Sequence, residues 1–468
     1  MGEQMTRRPT QEPTAASADD DGSAQPMQGN PGPDAGGVAG TSDDLEQLAR
    51  TRTQQERNLR ALLIVAATNN TAWDLVTPFI PLFVLLLVEN DPVSAATWSG
   101  IAVGISPLMT AVAGPFWGTI AERYGTRPAM LRTLLMAPCF VVLIAFSTEI
   151  WQLMILRFLT GAFGGFYVLV HALAAQTAPR DRVGQAIGTL QAISMVCLAI
   201  IPPVAGLFTD IWGLRSNFVL GAAIMLVSFV VMWRGYTTAP KPAGPPKPVI
   251  PLQAPASAPA PARKSRGSYW SLLADPQLAL IAVIIFVGQY VERTFWPLAP
   301  LLLVEMEPGS GQLGLMTGLV LGIGSGATAL SAFVAGRLSQ RVPARTLLLF
   351  ALVCGCLTLP LLYVAASFWQ FVAVRVVMGL LTGCIVTLAY SHVSATLPTD
   401  RLSAAFSMFA SVAMVAAAVG PVSISTLATT AGLRSPLLVG TAGFALCIVL
   451  LLVAARRAQS GRLPLARA

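Results

Sequence analysis

The sequence predicts an all-α membrane protein with twelve transmembrane helices in two pseudo-symmetric six-helix bundles. Three observations predict this fold: the composition, twelve long apolar runs and an internal repeat. Of the 468 residues, 54% are hydrophobic and 11% are charged, against roughly 25% charged residues in soluble domains. The mean hydropathy is +0.66. A chain of this length and composition is expected to cross the membrane many times.

The apolar runs give the number of spans. A run of about 18 or more apolar residues is long enough to cross a bilayer as a helix. The runs are continuous rather than alternating, which favours helices over a barrel because a helix satisfies its own backbone. The predicted spans 1 to 12 are 61–88, 96–120, 128–147, 150–176, 184–208, 214–234, 277–304, 313–336, 345–366, 368–394, 402–428 and 434–454.

The internal repeat divides the spans into two halves. Segment 150–161 reads IWQLMILRFLTG and segment 368–379 reads FWQFVAVRVVMG, so that Arg157 and Arg375 stand 218 residues apart in the same context. Two six-span halves in the same orientation are typical of transporters whose substrate site lies between the halves. The same step relates Gly100 to Gly318, Gly104 to Gly322, Gly118 to Gly336, Arg123 to Arg341, Arg127 to Arg345, Gly161 to Gly379, Gly165 to Gly383 and Pro203 to Pro421.

Three segments are predicted to lie outside the membrane. Residues 1–45 are rich in Gly, Pro, Ala and Asp, lack periodicity and cannot bury enough apolar surface to fold. They contain no apolar stretch that could serve as a cleaved signal peptide. The predicted organisation is a disordered cytoplasmic tail 1–57, a six-helix bundle 58–236, a cytoplasmic Pro/Ala-rich linker 237–275, a second six-helix bundle 276–456 and a cytoplasmic tail 457–468.

Arginines orient the predicted spans. Arg50, Arg52, Arg57 and Arg60 precede span 1, so the positive-inside rule predicts a cytoplasmic N-terminus. With twelve spans the C-terminus is cytoplasmic as well. The net charge of +8 is then a topology signal, and nucleic-acid binding is not expected. Arginine (27) far exceeds lysine (3), which is consistent with a GC-rich genome and indicates the inner membrane of a bacterium.

The hairpin after span 2 resembles a known family. Residues 118–127 read GTIAERYGTR, which is similar to the cytoplasmic-loop signature of the major facilitator superfamily, commonly GxLaDRxGRR, with Glu122 where the family usually has Asp. Arg157 and Gly161 resemble the span-4 motif of its twelve-span drug:proton antiporter branch. The resemblance covers residues 58–455. It implies a secondary active transporter that exports drugs or other lipophilic small molecules by alternating access, driven by protons.

The resemblance assigns the loop after span 2 and its repeat to a cytoplasmic gate. Glu122, Arg123 and Arg127 can make charge-assisted bonds across the gate and to nearby helix ends. The alternative is that these arginines only set topology. Gln340 and Pro343 replace the acid and the glycine in the second copy, so a weaker latch is expected there. The predicted gate residues are Gly118, Glu122, Arg123, Gly125, Arg127, Arg341 and Arg345.

Ionisable side chains at membrane depth are costly and normally face a bundle interior or a wet cavity. Asp74 lies midway along span 1, on one polar stripe with Asn70. We expect Arg157 to face the cavity and to bias the charge of Asp74, as a proton-coupled carrier requires. The alternatives are a purely structural pair and an anchor for backbone carbonyls. Glu292 and Arg293 are expected to interact with groups on other helices, and these four charged residues are the predicted proton-coupling set.

Two further groups of residues are predicted from the spans. Polar and aromatic residues are expected to line the substrate cavity, although aromatic residues equally fit helix packing; they are Asn70, Trp73, Tyr167, Gln289, Tyr290, Trp296 and Arg375. Small residues let neighbouring helices approach closely. The predicted packing residues, which include incomplete versions of the GPxxGG-like turn of antiporters, are Gly161, Gly165, Pro203, Gly206, Gly379, Gly383, Gly420 and Pro421.

Other classes of function lack their motifs. A Gly-Lys-Ser/Thr sequence for ATP is absent. No nucleophile or metal cluster for an enzyme is visible, and all six cysteines fall inside the spans, so neither a cofactor nor disulfides are expected. Fold alone leaves open a proton-coupled uptake symporter or a dedicated metabolite exporter. We expect a monomer in the lipid bilayer, with protons and a lipophilic small molecule as its partners and the proton gradient as its energy source.

Overall fold

The computed structural model describes residues 42–89, 91–179, 182–237, 275–307, 309–397 and 399–459. The predicted N-terminal tail up to residue 41, the linker from residue 238 to 274 and the C-terminal tail from residue 460 lie outside the described residues.

The described residues contain twelve helical segments that are long and apolar enough to cross a membrane, which confirms the predicted number of spans. Spans 1 to 6 form the N-terminal half and spans 7 to 12 the C-terminal half. In order, the spans are Arg50–Leu87, Pro92–Tyr124, Thr126–Phe146, Ile150–Thr177, Val183–Trp212, Leu214–Gly235, Pro276–Met306, Leu313–Leu338, Ala344–Val364, Phe368–Thr396, Ala404–Ala431 and Ser435–Arg456.

The first helix begins earlier than predicted. It covers Ser42–Val76 and therefore starts inside the segment predicted as a disordered tail. Residues 44–60 are mostly Leu, Glu, Gln, Arg and Ala, which have high helix propensity. Because they continue directly into span 1, the cost of nucleating a new helix does not arise.

Three spans are interrupted where the sequence predicts continuous runs. In span 1 a 3₁₀ turn at Thr77–Phe79 separates two α-helices, because prolines at 78 and 81 remove backbone donors. Span 4 consists of Ile150–Ala162 and Phe166–Thr177, and span 10 of Phe368–Thr382 and Ile385–Thr396. A hydropathy window detects apolar residues but does not detect such breaks, because the residues at the breaks are themselves mostly apolar.

Arginines fasten the two ends of spans 3 and 6. At one end, Arg127 donates from Nη2 to the carbonyl oxygen of Trp233 at 2.9 Å. At the other end, Arg215 donates from Nη1 to the carbonyl oxygen of Ala145 at 3.0 Å. The last carbonyls of a helix have no partner within it, so each guanidinium satisfies a helix end and joins the two spans.

The second half repeats this arrangement in spans 9 and 12. Arg345 donates to the carbonyl oxygen of Leu451 at 3.2 Å, and Arg434 donates to the carbonyl oxygens of Tyr363 and Ala365 at 2.8 and 2.9 Å. Arg434 also lies 3.5 Å from a carboxylate oxygen of Glu305. The duplication seen in the sequence is therefore preserved as a repeated contact.

The two halves touch where small residues line spans 2, 5, 8 and 11. A Cβ at Gly100 would overlap the carbonyl oxygen of Pro421, and a Cβ at Gly206 that of Gly314. Glycine at these positions lets the backbones meet directly. The contacts lie toward the face of the bundle that carries Asp91, which we call the closed face.

At the other end of the spans, which we call the open face and which carries Gly125 and Arg341, the halves diverge. A Cβ added at Gly118 or at Gly336 would meet no atom within 4 Å. Gly118, one of the predicted gate residues, therefore packs against no neighbouring helix among the described residues in this conformation. This divergence positions the cavity.

Candidate functional site

A cavity of about 920 Å³ lies between the two halves and extends to the open face. Gly336, Ser339 and Ser394 line it near the open ends of spans 8 and 10. The contacts at the closed face separate it from the opposite side. Cavities of about 300–1,000 Å³ accommodate drug-sized ligands, so this one is large enough for such a molecule.

Nine of the eleven residues predicted for proton coupling or for the substrate cavity border this cavity, and three predicted packing residues border it as well. The predicted residues that line it are Asn70, Trp73, Asp74, Arg157, Gly165, Tyr167, Gln289, Glu292, Arg293, Trp296, Gly383 and Pro421. Tyr290 and Arg375 were predicted to line it as well but are not part of its wall. The Tyr290 hydroxyl instead bonds the Ser423 hydroxyl at 2.8 Å, because its side chain packs toward span 11.

A hydrogen-bonded chain crosses the N-terminal side of the cavity. The hydroxyl of Tyr167 donates to Oδ1 of Asn70 at 2.8 Å, and Nδ2 of Asn70 donates to the hydroxyl of Ser194 at 2.9 Å. The chain joins spans 4, 1 and 5. It leaves the side-chain amide of Asn70 with both of its ends bonded, so the polar wall is fixed in place.

Asp74 lies beside this chain, one turn after Asn70. It is buried, with 8% of its surface exposed, yet it borders the cavity. Arg293 of span 7 borders the same cavity from the C-terminal half. The guanidinium of Arg293 lies 5.7 Å from the ring of Trp296, and its Nε has no hydrogen-bond partner among the described residues. The acid and the cation therefore come from different halves.

Arg157 is arranged differently from the predicted pairing. Its side chain is buried, and its Nε donates to the carbonyl oxygen of Ala102 at 2.9 Å, which ties span 4 to span 2. Among the described residues no ion pair within 4 Å joins it to Asp74. The contact is the backbone anchor that the sequence left open as an alternative.

The repeat-related arginine of the second half has an acidic partner. Nη2 of Arg375 lies 2.8 Å from Oε1 of Glu292, with only 1% of the Arg375 side chain exposed. The guanidinium also lies 4.8 Å from the ring of Phe295. Glu292 thus interacts with another helix, as expected. Glu292 borders the cavity, whereas Arg375 lies behind it and is not part of the cavity wall.

The family model of the major facilitator superfamily matches residues 62–326 and 278–468. The chain belongs to the major facilitator superfamily. It is an integral inner-membrane transporter and not an enzyme. It is 27% identical over 329 residues to the multidrug resistance protein MdtG of Proteus mirabilis (69% of this chain, 77% of the relative). It is 30% identical over 332 residues to MdtG of Escherichia fergusonii (70% and 78%).

Solved structures show the same fold for this superfamily member. A bacterial homolog of the human lysosomal transporter Spinster, in an inward-facing and unoccupied conformation, superposes with a TM-score of 0.67 at 13% identity, covering 86% of this chain and 97% of that chain. A point mutant of the nucleoside transporter NupG gives a TM-score of 0.66 at 11% identity, covering 84% and 99%. At these identities the likeness concerns the fold alone.

The predicted packing glycines of this facilitator mostly lie at close helix contacts. A Cβ at Gly161 would overlap the backbone of Ser106, and one at Gly379 would lie 2.8 Å from the carbonyl oxygen of Gly324. Gly206, Gly383 and Gly420 meet neighbouring backbone in the same way, and Pro203 contacts Gly318 and Gly322. Gly165 is the exception and corrects the prediction: it has φ +111° and no close neighbour, because its role is to break span 4.

Within the described part of the chain, the predicted gate residues make no bond across the halves in this conformation. Arg127 and Arg345 bind carbonyls inside their own halves, and the guanidinium of Arg123 lies 5.6 Å from the neighbouring ring of Tyr124. Gly125 adopts φ +99° between spans 2 and 3. Among the described residues no ion pair links Glu122 or Arg341 to the other half, because the open face is splayed apart.

Two polar side chains were not identified from the sequence. Asp210 accepts hydrogen bonds from the start of span 8. Arg132 stacks on Trp117 at 3.3 Å and lies 3.5 Å from the carbonyl oxygens of Phe163 and Gly164, which the break in span 4 exposes. Both are ionisable residues inside apolar spans, and this property alone could have identified them as candidates for a structural or functional role.

Proposed function

We propose that this chain exports drugs or other lipophilic small molecules across the bacterial inner membrane in exchange for protons, by alternating access. The observation that carries the proposal is the 920 Å³ cavity, which Asp74 lines together with the aromatic residues Trp73, Tyr167 and Trp296. A wall that combines aromatic and aliphatic side chains with polar groups suits a largely lipophilic molecule that carries some polar atoms. The MdtG relatives, named as multidrug resistance proteins, support the same class of cargo.

Asp74 is the proposed site of the exchanged proton. A carboxyl group in a cavity that opens to one side and then the other can take up a proton from the outside and release it to the cytoplasm. We propose that Arg293, which borders the same cavity from the opposite half, is the cation that favours release, because a nearby positive charge stabilises a carboxylate. Arg157 then serves as the anchor between spans 4 and 2.

The proposal includes an orientation. Both termini and the open face are cytoplasmic, because the open face carries Arg123, Arg127, Arg341 and Arg345 and basic residues favour that side. The conformation described here is then the one that loads cargo from the cytoplasm. One chain encloses the whole cavity, so we propose that the monomer is the working unit.

The cargo is tested by a drug-susceptibility panel in cells with and without the gene. Lower susceptibility to several lipophilic compounds is the expected result. A shift for a single compound class would point to a dedicated exporter, and no shift at all would contradict drug export.

Proton coupling is tested with one of those compounds in inside-out vesicles that carry an imposed pH gradient. Asp74→Asn removes the titrating group and keeps the shape of the side chain, so we expect gradient-driven export to be abolished while the compound still binds. Glu56→Gln, a neutralisation on the exposed surface, is the matched control and retains export. Full export by Asp74→Asn, normalised to folded carrier, would end the assignment of the proton to this residue and direct the test to Glu292.

A further inference from the structure

Among the described residues, one carboxylate joins the two halves at the closed face. Asp210, in the last turn of span 5, accepts from the backbone N–H of Gly314 at Oδ1 and from that of Leu315 at Oδ2, both at 2.8 Å. Gly314 and Leu315 lie in the first turn of span 8. Both carboxylate oxygens are therefore bonded to the other half of the molecule.

The contact supplies hydrogen-bond acceptors for the free N–H groups at the start of span 8. The first N–H groups of a helix have no partner within it, and the positive end of the helix dipole favours an anion there. Gln312 is the residue in the N-cap position of span 8, and its side chain makes no capping hydrogen bond. Asp210 thus caps span 8 from span 5, with charge-assisted bonds that are stronger than neutral ones.

Packing holds the carboxylate in place. Gly206, one turn before Asp210, contacts the backbone of Gly314, and Gly318 contacts that of Pro202. A Cβ at Gly314 would lie 2.5 Å from Oδ1 of Asp210, so glycine is required for this approach.

In the part of the chain that the structure describes, the repeat-related contact between spans 11 and 2 has no carboxylate bridge. The repeat step of 218 residues relates Asp210 to Ala428, and the step of 219 that relates Arg215 to Arg434 nearby relates it to Thr429. Span 2 is capped by its own Asp91, which accepts from the N–H groups of Val93 and Ser94 at 3.3 and 3.0 Å. The same chemistry therefore occurs twice at the closed face, once within a half and once between the halves.

We propose that Asp210 is the latch that holds the closed face shut, and that it leaves the start of span 8 when that face opens. The inference rests on alternating access in the proposed function. For the closed face to open, spans 5 and 8 must separate, which breaks both bonds and returns the N–H groups of Gly314 and Leu315 to solvent. The contact consequently stabilises one conformation only, and it biases the equilibrium between the two.

The test measures the separation of the halves at the closed face. Spin labels are attached at Thr148→Cys and Ala366→Cys, which are exposed, repeat-related positions in the two halves, after replacement of the six native cysteines. Distances are recorded by double electron–electron resonance without substrate or pH gradient. Asp210→Ala is expected to increase the long-distance population ~10-fold or more, as loss of charge-assisted hydrogen bonds allows. Asp210→Asn keeps one accepting oxygen and is expected to produce a smaller increase.

Asp91→Ala is the matched control, because it removes a carboxylate cap at the same face without touching the interface between halves. It should leave the distance distribution unchanged. An unchanged distribution for Asp210→Ala, or an equal shift for Asp91→Ala, would overturn the latch. If Asp210→Ala does not fold, the isosteric Asp210→Asn decides by the same criterion. If Asp210→Ala shifts the distance distribution but the unsubstituted carrier shows no proton-driven export in vesicles, the proposed function is contradicted and the latch is supported. If the unsubstituted carrier exports but Asp210→Ala produces no shift, the latch is contradicted and the proposed function is supported.

Discussion

At the scale of single residues, Arg157 and Arg375 occupy the same place in the two halves and bind different partners. One guanidinium bonds a backbone carbonyl and the other a carboxylate. A buried charged group needs hydrogen-bond partners, and each of these partners supplies one, although only the carboxylate also pairs the charge. Both buried arginines therefore need a hydrogen-bond acceptor, and each finds a different one. The role of each arginine depends on the acceptor that the neighbouring span supplies.

This difference separates the effects of two substitutions near Asp74. Arg293→Ala removes the cation that borders the cavity together with Asp74 and that we propose to favour proton release, so gradient-driven export should fall strongly while the folded protein remains. Arg157→Ala removes the bond to Ala102 and should lower the free energy of unfolding by about 1–3 kcal/mol. Export per folded carrier and thermal unfolding in detergent measure the two effects. Loss of export by Arg157→Ala at unchanged stability would restore the pairing first expected from the sequence.

At the scale of helices, the arginines at the ends of spans 3 and 6 bind carbonyls that the helices leave free. Arg215 contributes one of these bonds, and its guanidinium also lies 5.6 Å from the ring of Phe83. Its counterpart Arg434 repeats the bond in the second half. Antiparallel spans fastened at both ends move as one body, so these contacts favour rigid-body motion of each half during transport.

We predict that Arg215→Ala loosens this pair of spans and lowers the free energy of unfolding by about 1–2 kcal/mol, as loss of a charged hydrogen bond does. Thermal unfolding of the purified carrier in detergent measures the effect. Arg60→Ala is the control, because Arg60 forms only an exposed pair with Glu56 at 3.9 Å and such pairs are worth little. Equal losses from both substitutions would argue against a clamp.

At the scale of the whole molecule, the number of spans and the division into two halves were predictable from the sequence. Hydropathy predicts the twelve spans and the repeat predicts two equivalent halves, because both signals are one-dimensional. The pairing of Glu292 with Arg375 and the bridge from Asp210 to span 8 depend on which helices become neighbours, which spacing within one span does not encode. Gly165 was recognised as important for the wrong reason, since a glycine that breaks a helix and one that packs against a neighbour look alike in sequence.

The arrangement of the whole molecule also gives a topology that can be tested. A cysteine introduced at Tyr124, which is exposed at the open face, should react in intact cells only with a membrane-permeable thiol reagent. A cysteine at Thr148, on the closed face, should react with an impermeable reagent as well. The basic loops are the physical reason, because they favour the cytoplasmic side. The opposite pattern of labelling would invert the proposed orientation.

The ion pair between Glu292 and Arg375 has a consequence for biosynthesis. The two residues are 83 positions apart, so at about 5–20 residues per second the ribosome takes roughly 4–17 s to produce the arginine after the glutamate. During that delay span 7 enters the membrane with its carboxylate unpartnered, at a cost of a few kcal/mol for a charge near the bilayer centre. We expect the translocation machinery, or the previously inserted spans, to shelter span 7 until span 10 arrives. Arg375→Ala should then lower the yield of inserted carrier even where the assembled protein is stable.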